Sequence, residues 1–152
     1  MANCKTLIIY KMVEIVNTEQ LLESSTDDQV INQKVVFLTG DDNNAFFMIE
    51  LQPNEILPAH YHKEKIEIYY IMKGQGRITT GEFKNEKVLD PYVQNVEEGY
   101  TFSISPNMVH QIINTGTKPL LILASAPKSH GGEDRYFVEF DFNGGDLPVE
   151  AD

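Results

Sequence analysis

The sequence predicts an all-β domain. Short runs rich in Val, Ile, Phe and Tyr recur along the 152 residues, and clusters of Gly, Asn, Asp and Pro separate them. Many short strands with frequent turns are typical of a β-sandwich or β-barrel. The sequence shows no long stretch with helical periodicity and no linker-like segment. We therefore expect one all-β domain over residues 1–152.

The first third of the chain is expected to hold short strands and one helix. Residues 6–10 and 12–16 are interpreted as two short strands or as one bent strand. Asn17 is placed to cap a short helix at residues 18–23, and Gln20 stands at the capping-box spacing. Strands follow at 34–39 and 45–51, and the turn-forming residues 40–44 between them predict a hairpin.

The remaining two thirds are predicted to continue as strands and turns. Residues 52–58 are expected to form a loop, and residues 67–73 and 77–83 a hairpin around Gly74 and Gly76. Further strands are predicted at 87–89, 92–96, 100–104, 109–114 and 120–126. A polar loop at 128–134 and a last strand at 136–142 complete the prediction.

The composition excludes several classes of function. The formal net charge is −11, and only two arginines occur, Arg77 and Arg135. An acidic chain without a basic stripe is a poor binder of nucleic acid or of anionic lipid. Cys4 is the only cysteine, which excludes an internal disulfide and indicates a reducing compartment. The apolar run at residues 7–10 is too short for a signal or a membrane span, so we expect a cytoplasmic location.

Three histidines and one glutamate form a candidate metal site. His60 and His62 are two residues apart, so on an extended strand both imidazoles point to one face. Glu67 begins a strongly β-prone run, and His110 stands at the start of another apolar strand. This ligand set suits Mn, Fe, Co, Ni, Cu or Zn. We expect a β-barrel to bring His110 to the other three residues.

The spacing of the first three ligands resembles the first motif of the cupin superfamily. The pattern H-x-H-x4-E-x6-G runs from His60 to Gly74. The leading glycine of that motif is replaced by Asn54, a residue that also tolerates a positive φ.

The second cupin motif is matched from Gly99 to Asn114, with the spacing G-x10-H-x3-N. Pro106 is displaced by one position, and Asn107 stands where the second glycine is expected. These substitutions concern the shape of the turn and leave the histidine of the motif, His110, in place.

The resemblance implies a fold, a cofactor and a partner. It implies a cupin jelly-roll β-barrel of six strands over about residues 35–126, to which the extra terminal strands and the short N-terminal helix are added. It also implies one divalent transition metal (Mn, Fe, Ni or Zn) held by His60, His62, Glu67 and His110. Small cupins often pair through edge strands, so the terminal strands predict a homodimer.

Further residues are candidates for substrate chemistry. Tyr69, His130 and Glu133 are candidate proton-transfer groups, although Tyr69 is also interpreted as an inward-packing aromatic. Arg77 and Asn114 are candidate substrate-binding residues, and an exposed hairpin charge is the alternative for Arg77.

Two further alternatives concern the loops around the site. Glu64 competes with Glu67 as a ligand, but it would require the loop after His62 to fold back. The glycines beside His130 would let loop 128–134 close over the barrel mouth. We expect a solvated connector there instead.

Three functions fit the ligand set. The first is a metal-dependent isomerase or epimerase acting on a small polar carbonyl or sugar compound, since residues 60–74 and 114–116 resemble cupin-type sugar-phosphate isomerases. Open metal positions would hold two adjacent substrate oxygens. The second is an Fe(II)-dependent dioxygenase, and the third is a non-catalytic module that binds a small ligand. The ligands alone do not discriminate among these three.

Overall fold

The computed structural model of the chain describes residues 13–139. Within this range, one short helix precedes two antiparallel sheets of five strands each, which confirms the predicted all-β class. The predicted strand at 6–10 lies outside the described residues, and residues 13–16 have no regular secondary structure. The elements are α1 Thr18–Ser24, β1 Lys34–Gly40, β2 Ala45–Leu51, β3 Ile56–Tyr61, β4 Glu67–Lys73, β5 Gln75–Lys84, β6 Lys87–Glu97, β7 Thr101–Ile104, β8 Met108–Asn114, β9 Leu120–Ala126 and β10 Tyr136–Phe137.

The chain passes repeatedly from one sheet to the other. The first sheet has the order β1-β2-β9-β4-β7, and the second has the order β10-β3-β8-β5-β6. This wrapping of two sheets around one interior is the jelly-roll arrangement that was predicted. Among residues 13–139 no strand of one sheet pairs with a strand of the other, so the expected barrel is not closed by hydrogen bonds.

The two predicted hairpins have different outcomes. Strands β1 and β2 pair from Lys34 opposite Glu50 to Gly40 opposite Ala45, so the first hairpin is confirmed. The hairpin predicted around Gly74 is wrong, because β4 and β5 belong to different sheets. Gly74 has a φ of +87°, and a Cβ there would lie 2.8 Å from a backbone carbonyl oxygen. The glycine makes the corner at which the chain changes sheets.

Two of the predicted boundaries are wrong near the site. The residues predicted as strands 87–89 and 92–96 form one strand, β6, in which Asp90 adopts a φ of +47°. The register with β5 shifts there, so the Asp90–Pro91 pair bends the strand instead of ending it. The predicted loop 52–58 ends early, because β3 begins at Ile56 and carries His60 on a strand.

Apolar side chains from both sheets fill the interior. The most deeply buried include Leu51, Ile71, Ile112 and Ile122, each exposed by no more than 1%. Helix α1 packs Leu22 against the outer face of β1 and β2. The N-terminal cap of α1 is confirmed, since the Gln20 N–H donates to the Asn17 side chain at 3.0 Å.

Three further predictions concern membrane spans, the last strand and the homodimer. No helix within residues 13–139 is long and apolar enough to cross a membrane. Strand β10 covers only two residues of the predicted strand 136–142, and residues 140–142 lie outside the described range. The homodimer that was expected to form through the terminal strands stays a prediction.

Candidate metal centre

The four predicted ligands meet between the two sheets. His60 lies on β3 directly opposite His110 on β8, and His62 follows the end of β3. Glu67 is the first residue of β4 on the facing sheet. All four side chains are buried, and one potential ligand atom from each lies within 4.8 Å of the others. The structure therefore brings together residues that are up to 50 positions apart in the sequence.

Backbone carbonyls orient all three imidazole rings. Nδ1 of His60 lies 2.7 Å from the carbonyl oxygen two residues earlier, and Nδ1 of His110 lies 3.2 Å from the corresponding oxygen. Nδ1 of His62 is hydrogen-bonded to the carbonyl oxygen of Asp134. A carbonyl oxygen only accepts, so each Nδ1 carries the proton and each Nε2 presents a lone pair. This is how second-shell contacts prepare histidines for a metal.

Three buried atoms at the centre of the cluster have no hydrogen-bond partner: Nε2 of His62, Nε2 of His110 and Oε2 of Glu67. The carboxylate oxygen lies 3.3 Å from the His62 nitrogen and 3.2 Å from the His110 nitrogen. Lone pairs that face each other in a buried site are unfavourable unless a cation lies between them. Two ligand atoms about 2.1 Å from one ion would have a similar separation. The donor set therefore fits a divalent transition metal.

Burial and the neighbouring imidazoles set the ionisation of the cluster. Burial, together with His110, lowers the pKa of His60. A neutral imidazole is the protonation state of His60 that metal binding requires.

Tyr69 packs inward and hydrogen-bonds the Glu67 carboxylate. It is 1% exposed, and burial followed by the Glu67 charge raises the pKa of its hydroxyl well above the usual value. The hydroxyl therefore stays protonated near neutral pH and orients the carboxylate as a donor. Both earlier interpretations of Tyr69 placed it in the interior, and the geometry favours a positioning role.

The segment at residues 128–135, here called the cap segment, covers one side of the cluster. The expected solvated connector is wrong, because His130 is only 4% exposed and stacks on His62 with ring centroids 3.8 Å apart. Nε2 of His130 donates to the Glu64 carbonyl oxygen at 2.6 Å. The Asp134 carboxylate accepts the N–H groups of Lys63 and Glu64 at 2.9 and 3.0 Å. The cap segment thus holds the loop that follows His62.

His62, His130 and Asp134 also lie close enough together to hold an ion. The hydrogen bonds to backbone groups already engage Nδ1 of His62, Nε2 of His130 and both Asp134 carboxylate oxygens. We therefore interpret these three residues as support for the main cluster.

Three other predicted site residues lie away from the ligands. Arg77 pairs with Ile113, and it therefore lies on the opposite face of the sheet from His110. Glu133 is exposed on the cap segment, and Glu64, the alternative ligand, is also exposed. The structure does not bring Arg77, Glu133 or Glu64 into the cluster.

Asn114 is buried, but its side chain serves the backbone. Its Nδ2 donates to the carbonyl oxygens of Leu51 and Lys118, each at 2.8 Å, and its Oδ1 accepts the Gly116 N–H at 2.8 Å. These bonds tie the turn after β8 to the end of β2. A side chain with all its amide atoms engaged in this way holds a turn rather than a substrate.

Sequence reasoning missed Arg135 as a neighbour of the site. Arg135 lines a cavity of about 30 Å³ together with His60, Glu67, Tyr69 and His130. Its guanidinium group donates to an aspartate carboxylate in the segment between α1 and β1, at 3.0 Å. The Gly131–Gly132 pair was a signal of an unusual loop, but the packing of that loop depends on contacts with distant residues.

The chain matches a known family and two curated relatives. Residues 47–125, just over half of the chain, match the cupin domain. The chain is 37% identical over 84 residues to an uncharacterized protein of Methanocaldococcus jannaschii, covering 55% of this chain and 58% of that protein. It is 28% identical over 110 residues to a glucose-6-phosphate isomerase of Thermococcus litoralis, covering 71% and 52%. The chain thus spans little more than half the length of these relatives.

Solved structures show the same fold. A Klebsiella pneumoniae protein with a double-stranded β-helix domain aligns with a TM-score of 0.62 at 14% identity, covering 85% of this chain and 100% of that chain. The Bacillus subtilis oxalate decarboxylase, studied for its Mn(II) centres, aligns with a TM-score of 0.58 at 20% identity, covering 72% and 29%. The domain match, supported by this shared fold, shows that the chain belongs to the cupin family.

Proposed function

We propose that this chain is a metal-dependent isomerase or epimerase that removes and returns a proton at the carbon beside the carbonyl of a small carbonyl or sugar-type compound. The main support is the convergence of His62, Glu67 and His110 with three buried, partnerless atoms that face one another. The similarity to a glucose-6-phosphate isomerase supports the reaction class.

The four clustered residues would hold the metal. His60, His62, Glu67 and His110 offer three imidazoles and one carboxylate, which suit Mn, Fe, Ni or Zn. Such a cation, when bound, supplies Lewis-acid polarisation of a carbonyl oxygen, which makes the neighbouring C–H more acidic. Tyr69 contributes by holding the Glu67 carboxylate in place.

His130 is the candidate base. Its Nε2 donates to a carbonyl oxygen, so Nδ1 carries no proton, and Nδ1 is buried without a partner. The side chain lines the small cavity that also touches His60 and Glu67. The Nδ1 lone pair would accept the proton from the carbon beside the carbonyl and return it to the former carbonyl carbon, while the hydroxyl proton of the first carbon moves to the former carbonyl oxygen. No other reactant is needed, because the substrate and the product have the same atoms.

Hydrogen exchange with solvent tests this reaction. Protein purified without a metal column would be assayed for metal, loaded, and incubated anaerobically in D2O with aldose and ketose sugars and their phosphates. We expect deuterium to enter at the carbon beside the carbonyl, as seen by NMR. His130→Gln should keep its metal and lose the exchange, because the glutamine amide can still donate to the Glu64 carbonyl but supplies no base.

Lys128→Gln is the matched control, because this exposed residue lies on the same cap segment. It should exchange deuterium at the wild-type rate. Absence of exchange with every sugar would contradict the proposal. Consumption of substrate that depends on oxygen would favour the iron dioxygenase, and saturable binding without turnover would favour a ligand-binding protein.

A further inference from the structure

A cleft opens between the two sheets at strands β6 and β7. Strands β6 and β7 are edge strands of different sheets, and among residues 13–139 neither pairs across the gap. The space between them measures about 560 Å³. Binding sites for small molecules commonly measure ~300–1,000 Å³. The cleft therefore has the size of a substrate pocket, whereas the cavity beside the cap segment has room for only about one or two waters.

The cleft lies beside the metal ligands. Thr80 in its wall is directly opposite His110 on the neighbouring strand, and Ile104 is directly opposite Glu67. Opposite residues of an antiparallel pair point to the same face, with Cβ atoms about 5 Å apart. The cleft walls and the ligands therefore share the interior face. A guest whose reacting carbon lies at the cluster, between the cleft and the small cavity that His130 lines, would extend its remaining carbons into this cleft.

The lining of the cleft is polar but carries no charge. On the interior face its polar side chains are the hydroxyl of Thr80 and the amide of Gln94, and the Ser105 hydroxyl follows at the end of β7. None of the described residues that line it is an aspartate, glutamate, lysine or arginine. The rest of the wall is apolar or aromatic. Hydroxyls and amides both donate and accept, as the hydroxyl groups of a sugar require.

This lining offers no charged partner for a phosphate group. A buried anion needs cationic or several N–H partners, and without them its desolvation costs more than its contacts return. The chain as a whole carries a formal charge of −11, which adds long-range repulsion. Arg135 lines the small cavity beside the cluster and not the β6–β7 cleft, and its guanidinium group is already paired with Asp28 at 3.0 Å.

We infer that the β6–β7 cleft is the substrate site and that it takes an uncharged polyhydroxy carbonyl compound rather than the phosphate ester of that compound. This inference rests on the proposed function, because it takes the metal cluster as the reacting centre. It differs from the substrate named for the isomerase relative, which is a phosphorylated sugar.

Gln94 provides a direct test. It is directly opposite Ile78 in the cleft wall, but it is itself exposed on an edge strand, so substitution should not disturb the core. Gln94→Arg places a guanidinium group in the cleft. Gln52→Arg makes the same change at an exposed loop position outside the cleft and serves as the control. Ser105→Lys, at an exposed cleft position just after the opposite edge strand, is a second cleft variant.

Binding would be measured by saturation-transfer NMR on the zinc-loaded protein, with D-fructose, D-glucose and their 6-phosphates as probes. We expect wild type to bind a neutral sugar at least about tenfold more tightly than its phosphate, the size of one missing charge-assisted hydrogen bond. Gln94→Arg and Ser105→Lys should each shift this preference toward the phosphate by about tenfold, and Gln52→Arg should leave it unchanged.

Phosphates that bind wild type as tightly as the neutral sugars would overturn the inference, and so would a failure of every neutral sugar to bind. An unchanged preference in both folded cleft variants would also overturn it. The two proposals fail separately. Neutral sugars that bind without deuterium exchange contradict only the proposed reaction, and exchange confined to phosphates contradicts only the inferred substrate.

Discussion

Replacing Glu67 with glutamine should stabilise the metal-free protein and abolish its stabilisation by metal. In the metal-free protein the carboxylate oxygen faces two Nε2 lone pairs at 3.3 and 3.2 Å, and none of these atoms has a partner. Each buried polar atom without a partner costs ~1–3 kcal/mol, so the three together cost ~3–9 kcal/mol. A glutamine amide nitrogen at this place can donate to both imidazoles, and its oxygen can still accept from Tyr69.

The two new hydrogen bonds are each worth ~0.5–1.5 kcal/mol. In the presence of a chelator at pH 8, we therefore expect Glu67→Gln to be ~1–3 kcal/mol more stable than wild type. With metal at about one hundred times its dissociation constant, wild type should gain ~2.7 kcal/mol and the variant almost nothing. Urea denaturation with EDTA, and with added Mn²⁺ or Zn²⁺, measures both differences.

The control is Glu98→Gln, which makes the same charge change at an exposed position. Its free energy of unfolding should equal that of wild type both in EDTA and with added metal. A Glu67→Gln protein that is less stable than wild type in EDTA would show that the three partnerless atoms do not face one another in solution. Equal stabilisation of wild type and variant by metal would remove Glu67 from the ligand set.

Three further predictions follow from the same contacts. The free energy of unfolding of the metal-free protein should fall by up to ~1.4 kcal/mol per pH unit below pH 6.5. The reason is that the pKa of His60 is lowered in the folded protein, so the unfolded chain binds a proton at this residue more readily. Denaturant titrations across pH 5–8 measure the change. Asn114→Ala should cost ~2–4 kcal/mol of stability through its three lost hydrogen bonds, with metal stoichiometry unchanged. Asp134→Ala should weaken metal binding by about tenfold in a chelator competition, because it frees the loop after His62.

The four residues of the candidate metal centre were predictable because their chemistry and spacing are visible along the chain. The local backbone at the motif substitutions also follows the prediction: Asn54, in the place of a glycine, has a φ of +68°. Asn107 likewise has a φ of +63°, and its N–H donates to the His62 carbonyl oxygen at 2.7 Å. Asparagine tolerates the left-handed region, so the turns survive without glycine.

The partners of the strands were less predictable. The run before Gly74 and the run after it are both β-prone, and nothing in either sequence states whether they pair with each other. Strand propensity reports a fit to a pleated surface, while pairing depends on which surfaces meet. The cap segment shows the same limit. Its polar composition indicated that the segment is exposed to solvent. His130 is nevertheless buried, because one face of its ring stacks on His62 and its Nε2 donates to a carbonyl oxygen.

The sequence by itself determined the all-β class, the residue types of the candidate metal site and the turn between β1 and β2, because these depend on the preferences of single residues and on short spacings. Only the tertiary structure decided which side of the cluster is covered and which side is open. It also decided that Asn114 serves the backbone and that Arg77 faces away. These features depend on contacts between residues distant in the chain, and such contacts form only when the two sheets have packed.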